Sequence, residues 1–168
     1  MLINVSGLSE MDVRTVSLVG YVTMPDNYHL CEKETLVKFE GSVKKEKNRY
    51  LLKGLVTAAV SFNCDRCLSP VSKTVKAEVN EIFSADLNEV SNADGEMWPV
   101  NANTLELTDC LLANIAANMP MGVVCMDDCK GLCVYCGRNL NEGLCNCEMP
   151  VDPRFEILNS LRTDIKEV

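Results

Sequence analysis

The sequence predicts an α+β fold: an antiparallel, barrel-like sheet, a helix packed on it, and a C-terminal cysteine-rich, zinc-binding segment. Three observations carry that expectation. Apolar and polar residues alternate through much of 37–83. A helical spacing of four replaces that alternation from Leu105. Six of the ten cysteines crowd into Cys125-x3-Cys129-x3-Cys133-x2-Cys136-x8-Cys145-x-Cys147, and a further pair, Cys64-x2-Cys67, lies about sixty residues upstream. The expected division is a sheet core with one helix over 1–120, followed by a cysteine-rich zinc module and C-terminal helix over 121–168, packed on the core.

Residues 13–23, VRTVSLVGYVT, read as an early strand. Val37 to Ala59 reads as a hairpin, in which LVKFEGSV and RYLLKGLVTAAV flank the polar turn KKEKN. Val37, Phe39 and Gly41 alternate with Lys38, Glu40 and Ser42, as a half-buried strand requires. The second arm, through Phe62, is mostly apolar and suits a central strand. In KTVKAEVNEIF (73–83), Val75, Ala77, Val79 and Glu81 share one face, and the register is expected to slip at Ile82 and Phe83. CDRCLSPV then places Cys64 and Cys67 in a sharp turn at a strand end. The basic residues Lys44, Lys45, Lys47 and Arg49 are diluted by Glu40 and Glu46 and read as a solvated turn.

Residues 85–104, ADLNEVSNADGEMWPVNANT, read as a long acidic connection, with Trp98 as an anchor on the core. Asp86, Glu89, Asp94 and Glu96 do not match the EF-hand spacing. The helix follows: Leu107, Leu111 and Ile115 form its stripe, Thr104 (or Thr108) caps it, and Pro120 ends it. A C-terminal helix is expected from Asp152 and Pro153 onward, with Phe155, Leu158, Leu161 and Ile165 as its apolar stripe.

The formal net charge is −8, from 24 acidic and 16 basic residues. A chain that grips nucleic acid by charge alone should be basic, so DNA is not an expected partner and a basic protein is. The start, MLINVSGLSEMDV, has neither the basic nor the apolar part of a signal peptide, and no run approaches 18 apolar residues. No membrane association and a cytoplasmic location are expected, where thiols stay reduced and free to bind metal.

Zinc suits thiolates because it takes soft ligands in tetrahedral geometry without redox change. Gly131 and Gly137 let the chain turn so that backbone N–H groups face sulfur and stabilise its charge. Two partitions are open. Cys133, Cys136, Cys145 and Cys147 hold one ion while Cys64, Cys67, Cys125 and Cys129 hold a second, or one ion draws its ligands from Cys129, Cys133, Cys136 and Cys145 or Cys147. Cys31 and Cys110 are spares, of the buried apolar kind.

Catalysis finds little support. His29 is the sole histidine, which removes H-E-x-x-H and the deaminase signature. The spacings are not those of a ferredoxin, and neither C-x-x-C pair has a thioredoxin context. A thiol-based redox or metal-dependent enzyme is the alternative class. A deep pocket holding Cys64, Asp65 and Arg66 would favour it.

FNCDRCLSPV, then DDCKGLCVYCGRNLNEGLCNC, then DPRFEIL together resemble the bacterial YceD family, also described as the large ribosomal RNA subunit accumulation protein family. The resemblance runs from about Phe39 to Leu161. It implies a non-enzymatic role in accumulation of 23S ribosomal RNA and large-subunit assembly. The implied partners are a ribosomal protein, a pre-ribosomal particle or ribosomal RNA. In relatives of this type Cys64 and Cys67 match the first pair, and Cys125, Cys129, Cys133, Cys136, Cys145 and Cys147 match the later set.

Overall fold

The computed structural model describes residues 1–10, 12–25, 30–93, 97–147 and residue 154. His29, Asp94, Glu96 and the C-terminal helix expected around Phe155, Leu158, Leu161 and Ile165 lie outside the described residues. The chain divides into two compact units, Met1–Cys129 and Lys130–Val168. The sequence reading placed the change at 120/121. The first unit runs nine residues further because Cys125 and Cys129 gather with Cys64 and Cys67.

The alternating runs become a seven-stranded sheet of order β1-β7-β6-β5-β4-β3-β2. Its strands are β1 (Leu2–Asn4), β2 (Val13–Thr23), β3 (Glu34–Glu46), β4 (Arg49–Asn63), β5 (Pro70–Ser84), β6 (Met97–Asn101) and β7 (Thr104–Glu106). The meander β2–β5 is antiparallel throughout, with the β3–β4 hairpin closing at Glu46↔Arg49 around Lys47 and Asn48. The sheet is a curled half-barrel whose two edge strands approach each other. Arg14 of β2 donates to the Asn4 carbonyl at 2.7 Å, and the Met1 side chain lies 3.7 Å from where a methyl on Gly20 would stand. Among the described residues no ladder joins β1 to β2.

The inward face carries Val37, Phe39, Val43, Leu52, Val56, Val60, Val75, Ala77, Val79 and Phe83, all buried. The expected slip at Ile82 and Phe83 does not occur. Phe83 stays on the odd-numbered inner face and is fully buried, and the half-buried Ile82 opposes Leu51 on the other. Glu81 shares the inner face as expected. Its carboxylate accepts from Trp98 Nε1 at 2.8 Å and Asn114 Nδ2 at 2.6 Å, so a polar group on that face is satisfied.

The long connection expected over 85–104 contains structure. Helix α1 (Leu87–Asn92), capped by Asp86, crosses over and delivers β6 parallel to β5, with Phe83↔Trp98 in register. This one parallel pairing departs from the purely antiparallel expectation. Trp98 does anchor on the core.

Neither Thr104 nor Thr108 caps the second helix. Residues 104–106 pair instead with β1, through Leu2↔Glu106 and Asn4↔Thr104, and α2 runs Thr108–Ala117 from an uncapped Leu107. The strand wins because it gives those backbone groups a ladder partner. Leu107, Leu111 and Ile115 are fully buried against the sheet, as the spacing of four required. The helix stops three residues before Pro120 and leads into residues 118–129.

Candidate metal centres

The first centre joins two stretches of the first unit. β4 and β5 are linked by residues 64–69, and Asn63 pairs with Pro70 at the mouth of that turn. Inside it Cys64 N–H donates to Ser69 C=O at 2.8 Å and Leu68 N–H to Cys64 C=O at 2.9 Å, a tight knuckle that turns both thiols to one side. After α2 the chain returns across this knuckle. Asp65 N–H donates to Val123 C=O at 2.9 Å, and Asp65 Oδ2 accepts from Val123 N–H at 2.6 Å. Arg66 Nη1 donates to the Cys129 carbonyl at 3.0 Å and the Asp127 carbonyl at 3.3 Å. Both side chains, Asp65 and Arg66, are engaged with backbone.

The four sulfurs of Cys64, Cys67, Cys125 and Cys129 lie within 4.8 Å of one another. Cys64 and Cys129 sulfurs are 3.9 Å apart, and those of Cys67 and Cys125 are 3.6 Å apart. Four sulfurs at about 2.3 Å from one tetrahedral ion stand roughly 3.8 Å apart, so these separations are compatible with a single-ion site. They are far longer than the about 2.05 Å of a disulfide. A multi-iron cluster would need the sulfurs spread wider.

The second centre is built locally in the second unit. Cys133 N–H donates to Arg138 C=O at 2.8 Å, Gly137 N–H to Cys133 C=O at 2.9 Å, and Leu140 N–H to Gly131 C=O at 2.9 Å. Leu132 and Asn139 form an antiparallel bridge beneath this knuckle. Cys133, Cys136, Cys145 and Cys147 again place their sulfurs within 4.8 Å of one another. Cys136 and Cys147 are exposed here, whereas three of the four first-centre cysteines are buried.

The two knuckles share a turn but not a residue. Gly137 follows Cys136 at φ 71°, and Leu68 follows Cys67 at φ 61°. Both sit in the left-handed region, where glycine has no steric cost and leucine does.

Thiol acidity follows the geometry. Burial pushes the Cys64 thiol up, but backbone N–H groups of Cys67, Arg66 and Cys125 together outweigh it and bring it down to about 6. Backbone N–H groups of Cys136 and Tyr135 bring Cys133 to about 6. Cys125, bonded to Cys129 and partly desolvated, is pushed up to about 12, and Cys147, bonded to Cys136, likewise to about 12. Four thiolates this close repel one another. A divalent cation among them is what allows all four to ionise, so the donor sets suit one.

All eight cysteines singled out by spacing are gathered, in the first of the two partitions left open by the sequence. Cys110 is fully buried in α2, its thiol pushed up to about 12 by that burial. Cys31 is exposed, with its sulfur 2.9 Å from Asn63 Oδ1. Sequence reasoning missed the roles of Asp65 and Arg66. The one available signal was that the first knuckle holds two charged residues where the second holds Val134 and Tyr135.

Comparison with known proteins bears on what these centres serve. The chain is 28% identical over 122 residues to uncharacterised proteins of Mycobacterium bovis and Mycobacterium tuberculosis, covering 71% of this chain and 59% of theirs. It is 21% identical over 162 residues to the large ribosomal RNA subunit accumulation protein YCED homolog 1, chloroplastic, of Arabidopsis thaliana, covering 79% of this chain and 50% of that one. The chain thus spans between half and three fifths of the length of these relatives. No solved structure matches. The family model described as large ribosomal RNA subunit accumulation protein YceD matches residues 52–162, a span that takes in both knuckles and all eight paired cysteines, and the chain belongs to that family.

Proposed function

We propose that this protein is a non-enzymatic factor of large ribosomal subunit biogenesis that supports accumulation of 23S ribosomal RNA, with two zinc ions as structural staples. The observation that carries the structural role is the division of eight sulfurs into two sets of four, each within 4.8 Å. Four thiolates fill a tetrahedral ion and leave no open place for water or substrate. Family membership and the chloroplastic relatives, named for large ribosomal RNA subunit accumulation, support the ribosomal assignment. The net charge of −8 favours a basic ribosomal protein, alone or within a pre-ribosomal particle, as the direct contact over bare RNA. We place its action in the cytoplasm.

Chromosomal deletion tests the reading. The ratio of 23S to 16S ribosomal RNA should fall and recover on complementation, and an unchanged ratio refutes it. Elemental analysis of purified protein should give two zinc ions per chain. A thiol-exchange reading draws on Cys64 and Cys133, whose thiols at about 6 would be nucleophilic without metal. No zinc, together with thiols missing from a denatured count, would select it.

A further inference from the structure

The residues between the ligands of the two knuckles are treated oppositely by the fold. In the first, Asp65 and Arg66 reach across to residues 123–129 through bonds that involve no sulfur: the Asp65–Val123 backbone pair, Asp65 Oδ2 with Val123 N–H, and Arg66 with the carbonyls of Asp127 and Cys129. In the second, Val134 and Tyr135 point outward at 83% and 52% exposure. The bonds described from Lys130, Cys133, Gly137, Leu140 and Glu142 end within residues 130–142.

We propose that Asp65 and Arg66 are positioning residues for the first centre, holding residues 123–129 against the Cys64–Cys67 turn so that the four sulfurs converge before an ion arrives. This rests on the metal reading above. Two segments about sixty residues apart in sequence must be brought into register, and an ion doing this alone would spend binding free energy on the ordering. The Arg66 and Asp65 bonds supply that ordering from the fold. The arginine also caps the carbonyl of Cys129, a ligand, and so fixes the backbone from which that sulfur projects. The first centre then holds its ion tightly and releases it slowly.

The test uses the full chain carrying Cys136→Ser and Cys147→Ser, which leaves the first centre alone, loaded with cobalt(II) and titrated with a chelator. The thiolate-to-cobalt absorption reports occupancy. Asp65→Ala and Arg66→Met should each weaken binding about 10- to 100-fold, the range for groups that orient ligands. Asp65→Asn, which keeps an acceptor for Val123 N–H, should stay close to the parent. The absorption bands should keep their position in all variants, because the ligands are unchanged. Variants within about twofold of the parent overturn the proposal while leaving the metal reading intact. A parent chain that binds no cobalt overturns both.

Amide exchange on metal-stripped protein supplies a readout that survives a poorly folding Arg66→Met. The Asp65 and Val123 amides should be protected in the parent and lose that protection in Asp65→Ala. An unprotected pair in the stripped parent refutes preassembly directly.

Discussion

Cys64 and Cys67 meet Cys125 and Cys129 across about sixty residues of chain, whereas Cys133, Cys136, Cys145 and Cys147 fall within fifteen consecutive residues, 133–147. The ligand sets are chemically the same, and each has one thiol drawn down to about 6 and one pushed up to about 12. What differs is the scaffold. The first set hangs from the end of the β4–β5 hairpin and from the segment after α2, so its sulfurs close a long loop through the core of the first unit. The second closes only its own loop. Matched ligands on unequal scaffolds imply unequal consequences of losing them.

The largest effect should separate the two centres outright. Cys64→Ser with Cys129→Ser should lower zinc content from two to one and destabilise the sheet unit by about 4 kcal/mol or more, as removal of a structural metal does. Cys136→Ser with Cys147→Ser should also remove one zinc, yet leave the main melting transition nearly in place. Thermal melts followed by far-ultraviolet circular dichroism, with elemental analysis, check both. Equal losses of stability would mean that the two centres are energetically equivalent and the comparison fails.

How much of this was legible in the sequence follows the same divide. The second centre's ligands are neighbours, yet spacing left Cys129 as a rival for one of its places. The first could be named only as one of two partitions, since nothing in Cys64-x2-Cys67 says which later cysteines it meets; α2 decides that by delivering Cys125 and Cys129. The fold behaved alike. Val75, Ala77 and Val79 announced their strand by alternation, and Leu107, Leu111 and Ile115 their helix by fours. Thr104–Glu106 did not announce a strand, because its partner, Leu2–Asn4, lies about a hundred residues away and pairing depends on that partner. Met97–Asn101 was hidden for a different reason: Pro99 within it argues against a strand unless the site sits at the end of a ladder, as it does.

The helix that links sheet to centre gives the next effect. Leu111 is fully buried on α2, and its truncation to alanine should cost about 2–5 kcal/mol. It should also loosen cobalt at the first centre while leaving the second untouched, read in the single-centre variants. Leu144 beside Cys145 is 79% exposed, and its truncation should change stability by about 0.5 kcal/mol or less. A Leu111 variant that unfolds without weakening the first centre would show that α2 supports the sheet but does not place the ligands.

The turn after each ligand pair allows a finer test. Gly137→Ala places a Cβ at φ 71° with nothing within 4 Å to strike, so its cost is backbone strain alone, about 1–2 kcal/mol, felt as weaker metal at the second centre. Acid should act on the other unit. The hydrogen bond from Arg49, with a second from Ser84, holds the Glu89 carboxyl below the usual carboxylate range. A lowered folded value means that the ion pair stabilises above the ordinary glutamate range and is lost as pH falls through the folded value. Glu89→Gln should therefore lower stability slightly at neutral pH and flatten its acid dependence, with metal content unchanged. A steeper acid transition in that variant would refute the assignment.

The smallest expected effect asks why the knuckles differ at all. Leu68 occupies the position where the second knuckle has glycine, at φ 61° and with its side chain 63% exposed. Replacing it with glycine removes left-handed strain of about 1–2 kcal/mol but adds the unfolded-state freedom of glycine, about 0.5–1 kcal/mol. The net should be a gain of up to about 1.5 kcal/mol in melting, with cobalt affinity at the first centre unchanged. If Leu68→Gly instead destabilises the isolated protein, the leucine packs on something within the chain and the strain is repaid there. If stability rises as expected while complementation of 23S ribosomal RNA accumulation fails, the strained leucine is retained for a contact outside the chain. That result would place a working surface of the proposed assembly factor beside its first metal centre rather than its second.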